Sequence, residues 1–240
     1  MYYLLKKLAH NSIFYTFANS IEAFSPFLLA IILTRQITPE EYGVWVLFIA
    51  LVTFLRPLVN LTIQDALRMH FYEMDDAESA RFIWSSFCLT TISTAGIVVF
   101  TLAFAVPLSA ALSLPTEWLV MIPIAAYLYA VFYFLLAYNQ FAHNRRRFLS
   151  LHIVQTTASL VFIALFVFNG WGWQGVVIGK IAGLAIGCVT GVYWLVTGLQ
   201  FTNALKQPPQ LSRLAKLAIC PVSRSIVAYS SFNRFLRFYP

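Results

Sequence analysis

Apolar residues gather in six long runs, separated by short polar breaks, at 13–34, 43–64, 82–106, 118–138, 149–168 and 174–197. A bilayer's hydrocarbon core is about 30 Å thick and takes about 20 residues of helix to cross. Every run meets that length, so the pattern predicts an all-α polytopic membrane protein, a six-transmembrane-helix bundle over 13–200. None of the breaks leaves room for a soluble domain. Residues 1–12 read as an interfacial N-terminal helix, with Tyr2, Tyr3, Leu4 and Leu5 in lipid and Lys6 and Lys7 snorkelling to the headgroups. The first run is longer than the apolar core of a signal peptide, and no small-residue cleavage site follows it, so it reads as an uncleaved span. Residues 201–240 read as a basic cytoplasmic tail. Leu214 to Ile219 looks like the start of a seventh span, but the apolar pattern stops at Cys220, as expected of a truncation or frameshift from about 220.

Composition agrees with lipid as the solvent. Hydrophobic residues make up 60% of the chain and charged ones 10%, against roughly 45–50% and about 25% in soluble domains. The net charge of +7 points either to nucleic acid or to anionic lipid, and its distribution decides for lipid. Thirteen of the sixteen basic residues fall before the first run, after the second, after the fourth, or after the sixth. Lys and Arg mark the cytoplasmic side of a membrane. Both termini are therefore expected in the cytoplasm and the protein in the inner (plasma) membrane, with membrane lipid and not nucleic acid as partner. Trp45, Trp118, Trp171 and Trp173 then fall near the opposite, periplasmic ends, where amphipathic rings are favoured.

Charges inside the runs are the candidate binding groups, because burying one in a bilayer costs a few kcal/mol. Glu22 and Arg56 lie at matching depth, each about nine residues from the cytoplasmic end of its run. They read either as a charged site facing a central cavity or as a pair locking two helices. Pro26 and Pro57 stand beside them. Each removes a backbone donor, so kinks and exposed carbonyls are expected there, and Pro123 adds a third position. Lys180, in the sixth run, reads as a second cavity cation or as a residue snorkelling outward. Asn19, Ser20, Ser25 and Gln155 are expected to hydrogen-bond between helices. Gly175, Gly179, Gly183, Gly187 and Gly191 repeat at intervals of four. That ridge lets another backbone approach, either as a sliding surface or as static packing.

Other chemistry is excluded by what is missing. Gly179-Lys180 lacks the earlier glycine and the following Ser or Thr of a phosphate-binding loop. The four histidines and three cysteines have no metal-ligand spacing, so no cofactor is expected. Glu40, Glu41 and Glu117 are the only acids in the loops assigned to the periplasm, too few for glycan polymerisation or transfer. The chain does not read as an enzyme.

The run LTRQITPEEYG at 33–43 resembles the signature loop of polysaccharide flippases, which move lipid-linked oligosaccharide such as O-antigen units. Within it Thr38 is placed to cap a helix, with Pro39 and Glu40 in the first turn. The stretch DALRMHFY at 65–72, the basic Arg145, Arg146 and Arg147, and GWQG at 172–175 also fit that family. The resemblance covers residues 1 to about 219 and implies the N-terminal half of a two-lobe exporter of the multidrug/oligosaccharidyl-lipid/polysaccharide exporter group. It implies translocation of undecaprenyl-linked oligosaccharide in lipopolysaccharide or related synthesis, coupled to ion gradients, with a second lobe or a homodimer completing the cavity. A cationic cavity would meet the lipid diphosphate, with Arg56 the first candidate, Lys180 the second and Glu22 beside them. The alternatives are an inactive remnant or membrane scaffold of polysaccharide assembly, and a drug/cation antiporter lobe.

Overall fold

The computed structural model describes the backbone of residues 2–61, 63–70 and 76–198. Side chains are described over the same ranges, apart from residues 2–15 and Phe17, Glu22, Met69, His70, Asp76, Ala77 and Gly198. The tail at 201–240, with Cys220 and the pattern change near 220, lies outside the described residues, as do Glu73 and Asp75. The elements are α1 (Tyr2–Gln36), α2 (Pro39–Asn60), α3 (Ile63–His70), α4 (Asp76–Ala103), α5 (Ala105–Leu112), α6 (Thr116–Leu119), α7 (Met121–Phe141), α8 (Arg145–Phe168) and α9 (Gly172–Gly198).

Among the described residues, five helical stretches are long and apolar enough to cross a membrane: Pro39–Asn60, Glu78–Ala103, Thr116–Phe141, Arg145–Phe168 and Gly172–Thr197. The chain is a multi-pass, all-helical membrane protein. The remaining run, 13–34, lies on α1, a single helix of 35 residues that also covers the stretch read as interfacial.

Local chemistry sets boundaries that apolar runs alone do not. α2 starts four residues before its run because Thr38 caps it. The Thr38 hydroxyl accepts from the Glu41 N–H at 3.3 Å, and the Glu41 carboxylate accepts from the Thr38 N–H at 3.1 Å. α2 ends at Asn60, where Leu61 turns left-handed (φ 46°) and donates its N–H to the Pro57 carbonyl. Ile63 and Gln64, the last residues of the second run, instead begin α3, an amphipathic helix that buries Ile63, Ala66 and Leu67 and exposes Asp65 and Arg68. Two prolines interrupt helices. Pro107 has no N–H for the Ala103 carbonyl, and α4 gives way to α5 at Phe104. Pro123 likewise leaves Leu119 without its donor, and α6 gives way to α7 at Val120. Pro26 and Pro57 do not interrupt α1 or α2.

The tightest contact in the bundle is between α8 and α9, and the glycine repeat makes it. A Cβ added at Gly179 would lie 2.6 Å from the Ile163 N, and one at Gly183 would lie 2.5 Å from the Ser159 N. Further along, Gly187 sits over Gln155 and Phe132, and Gly191 over Leu151 and Leu135. The ridge is close packing on α8 and, toward its end, on α7. Around this pair α1 rests on α8, while α2 and α4 rest on α7. α1 and α2, joined by residues 37–38, touch each other only briefly.

Candidate functional site

A cavity of about 340 Å³ opens where α1 and α2 part, walled by those two helices and floored by α7 and α9. α2 supplies one stripe at helical spacing: Tyr42, Trp45, Ile49, Val52, Thr53 and Arg56. The cap at Thr38 fixes where that stripe begins. α1 supplies Ser25, Pro26, Leu29, Ala30 and Leu33, again a single face. α7 contributes Tyr129 and Tyr133, and α9 contributes Lys180.

Arg56 and Lys180, the first and second candidates for a cationic cavity, line the same cavity. Both are half-buried. The glycine ridge accounts for the aim of Lys180. Its neighbour Gly179 faces the α8 backbone, and the next residue lies about 100° around the helix, away from α8. The Arg56 guanidinium carbon lies 4.8 Å from the ring centre of Tyr133. The Lys180 ammonium lies 5.8 Å from that of Tyr129. A cation over an aromatic face is attracted by the ring quadrupole, worth about 0.5–2 kcal/mol depending on desolvation. Each ring therefore offsets part of the cost of holding a charge in the bilayer.

Depth can be counted along α7. Tyr129 lies eight and Tyr133 twelve residues from its start at Met121, about 12 and 18 Å at 1.5 Å per residue. On the whole Thr116–Phe141 span, Tyr129 stands at the middle and Tyr133 one turn nearer the Phe141 end. Arg56 itself is four residues from the end of α2 and not nine, because the helix stops at Asn60. Glu22 belongs to α1, but its side chain lies outside the described residues, and so does the pairing envisaged with Arg56.

Sequence reasoning does not single out the two tyrosines, although it holds a signal for them. Tyr129 and Tyr133 stand four apart inside a strongly apolar run. A phenol in hydrocarbon calls for a polar neighbour. Of the four polar residues expected to link helices, Ser20 and Gln155 bond within their own. The Ser20 hydroxyl donates to the Thr16 carbonyl at 2.8 Å, and the Gln155 amide donates to the Ser159 hydroxyl at 3.0 Å. Links between helices come from other groups. Ser93 donates to the Leu58 carbonyl at 3.0 Å, and Arg147 to the Trp194 carbonyl at 3.2 Å.

The signature loop is tied to the start of α9. A Cβ added at Gly172 would collide with the Glu41 carboxylate, and Gly172 itself has a φ of +54°. Glu41 therefore caps α2 and abuts the start of α9 together. Trp118 and Trp173 meet nearby, with ring centres 4.8 Å apart. Among the described residues no group of His, Cys, Asp and Glu is placed to hold a metal ion.

No curated protein and no solved structure matches the chain. The profile of one family, described as polysaccharide biosynthesis protein, matches residues 8–216. That stretch takes in the capped loop, both cavity cations and the glycine interlock, and the chain belongs to the polysaccharide biosynthesis protein family.

Proposed function

We propose that the protein carries lipid-linked oligosaccharide across the inner membrane, holding the lipid diphosphate between Arg56 and Lys180. The observation that supports this most is the convergence of those two cations, from α2 and α9, on one cavity within the membrane-spanning helices. Fixed positive charge in a poorly hydrated site favours an anionic cargo and repels a cationic drug, which argues against the antiporter alternative. The aromatic and hydroxyl groups of Tyr42, Trp45 and Thr53 along the α2 wall of the same cavity suit sugar rings, which present both apolar faces and hydroxyls. The work is binding and translocation, without bond-making. The termini lie in the cytoplasm, with Arg145–Arg147 on the same side. In this reading a second lobe or a second copy of this chain faces the cavity that α1 and α2 line.

The test is affinity for a polyprenyl diphosphate sugar, measured with the chain in phosphatidylcholine nanodiscs. Arg56→Gln and Lys180→Gln should each weaken binding about tenfold or more, the scale of one charge-assisted contact. Both variants should accumulate in the membrane at the parent level. Parent-like affinity in both would remove the cavity from the reading.

A further inference from the structure

We infer that Tyr129 and Tyr133 are positioning residues that give the cavity its preference for two linked phosphates over one. This rests on the reading of the cavity as a lipid diphosphate site. The two rings form a ladder on α7, one helical turn apart, with planes 14° from parallel and centres 6.2 Å apart. Arg56 reaches the Tyr133 ring from α2 and Lys180 reaches the Tyr129 ring from α9. The charges come from two helices, but a third helix sets their heights.

Arg and Lys side chains are long and have many rotamers. Left to themselves they would follow whichever anion enters. A ring face holds the cation through its quadrupole, and more firmly where water is scarce. Tyr133 is held in turn by an edge contact with the buried Phe132, with ring centres 5.9 Å apart. The result is a pair of charges preset at successive levels. Preorganisation of this kind lowers the ordering cost of binding. A single phosphate gains from one level. Two linked phosphates gain from both, so loosening a ring penalises the diphosphate more than the monophosphate. The ring face carries the effect, not the phenol hydroxyl.

The experiment measures affinities for polyprenyl diphosphate and polyprenyl monophosphate, with the chain in phosphatidylcholine nanodiscs. Tyr133→Phe keeps the ring face, and Tyr133→Leu keeps apolar bulk without it. The Phe variant should stay within about twofold of the parent, while the Leu variant should bind the diphosphate about tenfold more weakly and the monophosphate about twofold. Phenylalanines of increasing fluorination at position 133 keep the shape and drain the quadrupole, and should lose affinity stepwise. The same series at position 129 should act through Lys180. A ligand-free cycle of Arg56→Gln, Tyr133→Leu and their combination should give non-additive losses in melting temperature. Equal binding by the Leu and Phe variants, or a flat fluorination series, overturns the ladder while leaving a cation-dependent diphosphate site in place. A parent chain that binds neither lipid overturns the site and the ladder together.

Discussion

Gly183→Ala should be among the most damaging single-methyl changes in this protein. The added Cβ would lie 2.5 Å from the Ser159 N and 2.6 Å from its Cα, besides meeting the Ser159 hydroxyl. Carbon atoms pack at about 3.5–4.0 Å, so the α8 backbone must retreat by about 1 Å. The hydroxyl can rotate away, but the backbone cannot. A gap of 0.5–1 Å forfeits about a quarter to a half of each dispersion contact along the seam. Overpacking on that scale costs about 1–3 kcal/mol. Gly96, on α4, is the control, because a Cβ there meets nothing within 4 Å. Gly96→Ala should be neutral or slightly stabilising. The assay is thermal unfolding of the purified protein in one detergent. The Gly183 variant should melt several degrees lower, at about 2–4 °C per kcal/mol. Adding Ser159→Gly should recover little, since the nearest atoms are backbone. A Gly183→Ala protein as stable as the parent, or full rescue by Ser159→Gly, would refute the claim that two backbones meet there.

Two further outcomes follow from the same structure. Thr38→Ala should cost about 1 kcal/mol by removing the α2 cap, while Gly172→Ala should cost more, and pairing it with Glu41→Ala should relieve the collision but not the left-handed backbone; melting temperatures of the three proteins check the order. Reporter fusions after Glu117 and Asn169 should report periplasm, and one after Arg147 should report cytoplasm, so a cytoplasmic signal at Asn169 would overturn the orientation taken from the basic residues.

Hydrophobic runs made most of the architecture legible, because a bilayer demands long apolar helices whatever their sequence detail. They blurred where polar backbone geometry takes over. Asn60 to Gln64 is apolar enough to extend a span, yet the left-handed Leu61 ends α2 and hands the next residues to α3. Nothing in residue hydropathy distinguishes Pro57, which α2 tolerates one turn from its end, from Pro107, in the first turn of a new helix that begins at Ala105. The cap at Thr38 was legible because its partners are local: Thr, Pro, Glu and Glu in immediate succession. Arg56 and Lys180 were legible as charges in lipid, but their meeting was not. That depends on which way the glycine ridge turns α9, a fact about three helices and not about any one of them. The tyrosines were hidden for the same reason, since an aromatic residue in a membrane span is ordinary until a cation is seen above its face.

The fastening of α9 also limits how the cavity can move. One jaw, α1, is seated on α8, and the other, α2, on α7. Both seats are attached to α9, through Gly179 and Gly183 on the α8 side and through Gly187 and Gly191 on the α7 side. Glu41 adds a third fixture where the jaws join. Parting the jaws by moving their seats would mean unseating the α8–α9 backbone contact at Gly179 and Gly183, whereas the Glu41, Phe132 and Leu135 contacts are with side-chain ends that can shift. If the cavity holds the cargo proposed above, these helices would turn as one piece, and the side to which that cargo is exposed would be set by their angle to a facing lobe or second copy.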